Sequence, residues 1–187
     1  MASPHSSPSG VTDLPSPVLG APLLREQDRR PGEGTYVGRV VLAEDDGEMR
    51  AFLALLLRSQ GLDVIECSDG EALLRTLADR EGPAPWVVDL VVADNRMPRL
   101  NGLDALELEG YLQAVRLGEV PPFLLITAFG DGPTVERAFE LGAAGVLLKP
   151  FDPDLFVLKA IELILQGRER SARAAGGDPA NRGSDPE

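Results

Sequence analysis

The chain has 187 residues, of which 43% are hydrophobic, enough for one domain with an ordinary core and flanking segments. Its formal net charge of -12 would repel phosphate backbones, so direct nucleic-acid binding is not expected. The single cysteine excludes a disulfide framework. The sequence shows neither a signal peptide nor an apolar run near the ~18 residues of a membrane span. We therefore expect a soluble cytoplasmic protein that does not contact a membrane.

Both ends of the chain are polar and lack sustained periodicity. Residues 1–36 are rich in Ser and Pro and are predicted to form a disordered leader, because they cannot bury enough apolar surface to offset the entropy of ordering. Residues 168–187 have a similar composition and are predicted to form a disordered tail. The folded domain is therefore predicted to span residues 37–167.

The first half of this domain alternates short apolar runs with segments of helical periodicity. Strands are predicted at 39–43, 63–67 and 86–93, and helices at 48–60 and 71–79. Asp46 is predicted to cap the first helix. Ser68 and Glu71 have the spacing of a capping box, which predicts that Ser68 opens the second helix.

The second half continues the alternation. Strands are predicted at 123–127 and 145–149, and helices from Gly102 to about Leu117, from Pro133, and from Asp152 to Gln166. Asp152 is predicted to open the last helix and Gly167 to end it. Five strands alternating with five helices predict an α/β fold with a parallel sheet, because each crossover between parallel strands needs a helix.

Polar residues follow or end four of the predicted strands. In chain order they are Glu44, Asp45, Asp94, Thr127 and Lys149. The carboxyl ends of parallel strands lie at one edge of a sheet, where ligands bind in open α/β folds. Lys149 is also unusual in composition, since only two of the 18 basic residues are lysines. The pattern predicts a polar site at this edge.

Four segments carry a family resemblance. VVLAEDD, VVADNRMPRLNG, LLITAFGD and GVLLKPF occur in the order and approximate spacing found in the receiver domains of bacterial two-component response regulators. The resemblance covers residues 37–167 and implies a flavodoxin-like, doubly wound, five-stranded parallel sheet in the order 2-1-3-4-5, with helices on both faces. It also implies a phosphoprotein that acts in signal transduction or a phosphorelay.

The resemblance assigns the acidic residues to phosphoryl transfer and metal binding. Asp94 corresponds to the phosphoacceptor, which becomes an aspartyl phosphate. Asp45 is expected to ligate Mg²⁺ directly, Glu44 to ligate it through water, and Arg96 to contribute its backbone carbonyl. Three gathered carboxylates repel one another unless a hard cation enters, and Mg²⁺ suits such oxygen ligands.

The same resemblance assigns donors to the transferred phosphoryl group. Lys149 supplies a compact cation, Thr127 a hydroxyl, and Ala128 a backbone N–H, because the charge on the transferred oxygens must be met by fixed donors. Val146 departs from the family pattern, since receivers commonly carry there an aromatic ring that rotates inward. A branched aliphatic side chain has no comparable swing.

Three functions remain open on the sequence. The first is a stand-alone receiver that accepts a phosphoryl group on Asp94 from a sensor histidine kinase or phosphotransfer protein and signals to a downstream protein. It would be a monomer or a phosphorylation-linked homodimer, with no enzymatic activity beyond self-catalysed phosphoryl acceptance and slow autodephosphorylation. The second, motivated by Val146, is a phosphorylation-independent binding module. The third is a Mg²⁺-dependent phosphatase resembling the haloacid dehalogenase group, which places a second Asp where this chain has Arg96.

Overall fold

The computed structural model of the protein describes Leu24 and residues 37–78, 87–108, 120–128 and 132–175. Its strands are β1 (Gly38–Ala43), β2 (Leu62–Cys67), β3 (Leu90–Asp94), β4 (Phe123–Thr127) and β5 (Gly145–Leu148). They form one sheet in the order β2-β1-β3-β4-β5, and every neighbouring pair is parallel. The predicted fold and strand order are confirmed.

Helices cover both faces of the sheet. They are α1 (Gly47–Ser59), α2 (Gly70–Ala78), α3 (residues 102–108 of which are described), α4 (Gly132–Glu140) and α5 (Pro153–Ala175). One core cluster joins buried residues of α1 and α5 to the sheet, and a second joins those of α2, α3 and α4. Strand β1 contributes to both clusters, because its successive side chains point to opposite faces of the sheet: Val40 belongs to the first cluster and Val41 to the second.

The strand register aligns the predicted site residues. Ala43, the last residue of β1, pairs with Ala93 of β3. Asp94 in turn pairs with Ile126 of β4, and Thr127 pairs with Leu148 of β5. The residues that end β3 and β4, and those that follow β1 and β5, therefore meet at one edge of the sheet.

Helix caps agree with the sequence at two helices and differ at a third. The Asp46 carboxylate accepts hydrogen bonds from the backbone N–H groups of Glu48 and Met49, and Asp152 accepts one from Asp154. The prediction that Ser68 opens α2 was wrong. Asp69 caps this helix by accepting from Ala72 N at 2.8 Å, because the helix begins at Gly70 and Asp69 is the residue directly before it.

The third strand is shorter than predicted. It begins at Leu90, not at residue 86, and it includes Asp94. Just before it, the Asp89 carboxylate accepts hydrogen bonds from Arg39 N at 2.9 Å and from Arg168 Nε at 2.8 Å. Asp89 therefore serves as an anchor at the opposite edge of the sheet from the predicted site.

The last helix is longer than predicted. Gly167 does not end α5, which continues to Ala175. A Cβ at position 167 would lie 3.1 Å from Pro122 Cδ, so the glycine permits close packing. Arg168 holds the next turn in place through Asp89 and through a 2.6 Å bond from Nη2 to the carbonyl oxygen of Val37. The tail predicted from residue 168 is thus helical over its first residues, and 176–187 lie outside the described residues.

Several predictions fall on parts of the chain that the structure does not describe. They concern the end of the helix predicted to reach Leu117, the first residue of the strand predicted at 86–93, and most of the leader at 1–36. Leu24 is the described exception in the leader, and it is buried as a member of the α1–α5 core cluster. In the described ranges, no helix has both the length and the apolar character needed to cross a bilayer.

Candidate functional site

The loop between β1 and α1 carries the first two acids. Glu44 is 2% exposed and Asp45 is exposed, so the pair offers one buried and one accessible carboxylate. The backbone of the loop is held on both sides, since Glu44 N donates to Cys67 O at 3.1 Å and Arg50 Nη1 donates to Glu44 O at 2.7 Å. These bonds fix the place from which the acids project.

Asp94 ends β3 beside this loop and is 4% exposed. Its Oδ2 atom accepts a 2.7 Å hydrogen bond from Arg96 N, while the side chain of Arg96 is exposed. The chain turns sharply here, because a Cβ at Gly102 would lie 2.6 Å from the carbonyl oxygen of Asp94. The turn leaves the Asp94 carboxylate at the sheet edge.

Lys149 joins the acids of β1 and β3 from the other side. Its Nζ atom lies 2.7 Å from Glu44 Oε2 and 2.8 Å from Asp94 Oδ1. The lysine backbone is fixed as well, since Lys149 N donates to Thr127 O at 2.8 Å. Residues 105 positions apart in the chain are therefore in direct contact.

Two of these side chains, Glu44 and Lys149, have pKa values shifted by their surroundings. Burial raises the pKa of Glu44, and its hydrogen bond with Lys149 only partly offsets this effect. Burial acts to lower the pKa of Lys149, but hydrogen bonds with Asp94 and Glu44 outweigh burial, so its pKa is raised above the ordinary value. The lysine therefore remains an ammonium at neutral pH.

The acids also meet the requirements of a divalent cation. Glu44, Asp45 and Asp94 each offer one carboxylate oxygen, and these oxygens lie within 4.8 Å of one another. Small hard cations such as Mg²⁺ bind carboxylate oxygens and keep several of their waters, so the exposed side of Asp45 suits such an ion. The donor set fits Mg²⁺.

Thr127 and Ala128 lie at the same edge. Thr127 is fully buried at the end of β4, between the strand that carries Asp94 and the strand that precedes Lys149. Ala128 follows it and is exposed. Their contacts with a phosphoryl group stay predictions. Val146 is half-buried against the second core cluster.

Sequence reasoning missed the residues that support the site. Arg50 was not singled out, although it lies six residues after Glu44, where the first turn of α1 brings a side chain back under the loop. The ion pair between Arg99 and Asp69 was missed too. Its only sequence signal is the unusual basic residue after Met97 and Pro98.

Known proteins are similar to this chain in sequence. The family described as response regulator receiver domain matches residues 40–161. The transcriptional regulatory protein PdtaR of Mycobacterium tuberculosis is 36% identical over 144 residues, which cover 76% of this chain and 63% of that protein. The transcriptional regulatory protein CpxR of Escherichia coli is 33% identical over 130 residues, which cover 70% of this chain and 50% of that protein. The chain thus spans less than two thirds of either relative.

Solved structures show the same fold. The receiver domain of the Francisella response regulator 1452 superimposes with a TM-score of 0.59 at 21% sequence identity. The match covers 69% of this chain and 98% of that domain. At this identity the likeness concerns the fold alone, and it agrees with the five-stranded order observed here.

Proposed function

The chain belongs to the family of response regulator receiver domains, and we propose that it accepts a phosphoryl group on Asp94 and signals through contacts with another protein. The observation that carries the proposal is the position of the Lys149 ammonium, 2.8 Å from Asp94 and 2.7 Å from Glu44. Phosphoaspartate and Mg²⁺ are characteristic of this family, whose members receive phosphoryl groups from histidine kinases or phosphotransfer proteins.

The proposed donor is the phosphohistidine of such a partner. A carboxylate oxygen of Asp94 attacks phosphorus, so that an O–P bond forms as the P–N bond breaks. The electron pair of the broken bond stays on the imidazole nitrogen, which takes up a proton from solvent. Lys149 keeps its charge throughout and lies where it can meet the negative charge of the transferred oxygens.

Asp45, Glu44, Asp94 and the carbonyl oxygen of Arg96 would hold Mg²⁺, Glu44 doing so through water. When bound, the ion supplies positive charge that offsets the repulsion between the acids and the incoming phosphoryl group. Glu44 is already paired with Lys149, which supports a water-mediated role for this buried acid. Thr127 and the backbone of Ala128 complete the donors.

The output is proposed to run through a separate protein, as in stand-alone receivers, from a monomer or a phosphorylation-linked homodimer. The aliphatic Val146 favours one competing function, a binding module that does not need phosphorylation. A phosphatase is less well supported, because Arg96 stands where that mechanism uses a second acid.

The test is intact-protein mass spectrometry after incubation with acetyl phosphate and Mg²⁺. One added phosphoryl group is expected, and Asp94→Asn should abolish it. Asp104→Asn provides a matched control, since this carboxylate is exposed, lies in α3 and is not among the three acids that could hold the ion. Equal labelling of the parent and Asp94→Asn would contradict the assignment, and a parent that takes no label would favour the binding module.

A further inference from the structure

The loop from Asn95 to Asn101, which we call the acceptor loop, is bound to the beginning of α2. Arg99 of this loop forms an ion pair through Nη2 with Asp69 Oδ2, and its Nε atom lies 3.5 Å from Glu71 Oε2. The pair joins residues 30 positions apart. It connects the strand that ends in Asp94 to a helix that contributes no residue to the phosphoacceptor site.

The partner of Arg99, Asp69, is buried in the protein interior. It is 2% exposed, and its carboxylate also accepts hydrogen bonds from Ala72 N at 2.8 Å and Ser68 Oγ at 3.1 Å. A buried carboxylate requires a partner charge or several donors, and Arg99 supplies the charge. The guanidinium is therefore held by a fixed group, although the arginine side chain is about half exposed.

The backbone of the acceptor loop is shaped around this contact. Arg99 has a φ of 68°, a left-handed conformation that residues other than glycine rarely adopt. The carbonyl oxygen of Leu100 packs directly under Gly70, where a Cβ would collide with it. The loop is thus pressed against α2 at two successive residues, and the unusual conformation of Arg99 directs its side chain toward Asp69.

The other end of the acceptor loop contacts the phosphoacceptor. Arg96 N donates to Asp94 Oδ2 at 2.7 Å. Asn95 closes the loop, since its carbonyl accepts from Gly102 N and its side-chain oxygen accepts from Leu103 N, both at 3.3 Å. Two residues separate the Arg96 amide from Arg99, so the position of Arg99 limits where that amide can point.

We propose that Arg99 is a positioning residue: its ion pair with Asp69 holds the acceptor loop so that the Arg96 amide faces the Asp94 carboxylate. This role rests on the proposed phosphoryl transfer to Asp94. Without the ion pair, the acceptor loop would separate from α2. The Arg96 amide would then be less well ordered beside Asp94 when the phosphoryl donor binds.

The first experiment measures amide hydrogen exchange in the unphosphorylated full chain. In Arg99→Ala and in Asp69→Asn, which keeps the cap oxygen for α2, the amides of Leu100, Gly102 and Leu103 should exchange at least about tenfold faster than in the parent. Amides of β3 should not change. Arg75→Ala is the matched control, because it removes another arginine that pairs with Glu71 and should leave the loop unaffected. Unchanged loop exchange in both test variants would overturn the proposal.

The second experiment measures the rate of phosphorylation by acetyl phosphate with Mg²⁺. Arg99→Ala and Asp69→Asn should each slow it several-fold, and the double variant should be no slower than either, because both remove one interaction. Arg99→Lys should restore part of the rate by restoring the charge. Arg99→Gly should not, although glycine suits the left-handed backbone.

The two experiments distinguish a failure of the proposed function from a failure of the positioning role of Arg99. A parent protein that takes up no phosphoryl group would contradict the proposed function and with it this role of Arg99, even if loop exchange rises as expected. A parent that is phosphorylated at Asp94, with Arg99→Ala equally fast, would contradict the positioning role alone. Faster exchange combined with slower phosphorylation supports both.

Discussion

Replacing Arg168 with Ala is expected to destabilise the protein by about 3 kcal/mol. The side chain of its partner Asp89 has no exposed surface, and that of Arg168 is only 14% exposed. Removing one member of a buried ion pair costs roughly 3–5 kcal/mol, because the remaining charge stays buried. The lower end applies here, since Arg39 N still donates to Asp89 at 2.9 Å.

The same substitution removes the hydrogen bond from Arg168 Nη2 to Val37 O, which joins α5 to the start of β1. The loss of free energy should lower the midpoint of thermal unfolding by about 10 °C for a domain of this size. Urea denaturation followed by circular dichroism at two protein concentrations gives the free energy of unfolding directly.

The control is Arg173→Ala, in the same helix. This arginine pairs with Glu169 at 3.9 Å and is 83% exposed, so its loss should change stability by less than about 0.5 kcal/mol. In Asp89→Asn combined with Arg168→Ala, the total loss should be smaller than the sum of the single losses. If Arg168→Ala costs no more than Arg173→Ala, the buried pair does not anchor α5.

Three further predictions follow from the described contacts. Ending the chain after Gly167 should destabilise the domain at least as much as Arg168→Ala, since it removes the same ion pair; equal urea midpoints for the truncated and parent chains would refute this. Lys149→Met should slow phosphorylation by acetyl phosphate at least about tenfold, because it removes the ammonium beside Asp94. Lys159→Met, which removes a lysine paired with Glu162 in α5, should leave the initial rate unchanged. Equal rates in the two variants would rule out a role for Lys149. Burial raises the pKa of Cys67, so the thiolate is scarce at pH 8 and iodoacetamide should label the native protein far more slowly than the urea-unfolded protein; similar rates would show that the thiol is accessible.

The strands, most of their boundaries and the parallel sheet could be predicted from local periodicity, whereas the strand order was implied only by the resemblance to receiver domains. Apolar runs mark the strands, and parallel strands bring their carboxyl ends to one edge, so Asp94 and Lys149 could be expected together before any coordinate was known. Asp46 was predictable as a cap for the same local reason, since its side chain bonds to the next turn.

The contacts of Asp89 and Gly167 could not be predicted because their partners, Arg168 and Pro122, are distant in the chain. Asp89 lies within an apolar run and meets Arg168, 79 residues later, only after the sheet and α5 have packed. Gly167 resembles a helix stop, yet its role is to approach Pro122. Ser68 had the spacing of a cap, but Asp69 occupies the position from which a side chain reaches the α2 amides. Local patterns do not distinguish these alternatives.

We propose that Asp94, Lys149 and the acids of the β1–α1 loop together form a phosphoryl-accepting pocket. Amide NMR with Mg²⁺ and beryllofluoride, which mimics a phosphoryl group on a carboxylate, tests it most directly. We expect large shifts at Thr127, Ala128 and Lys149 in the parent protein and none in Asp94→Asn. Unchanged spectra of the parent, or equal shifts in the variant, would contradict it.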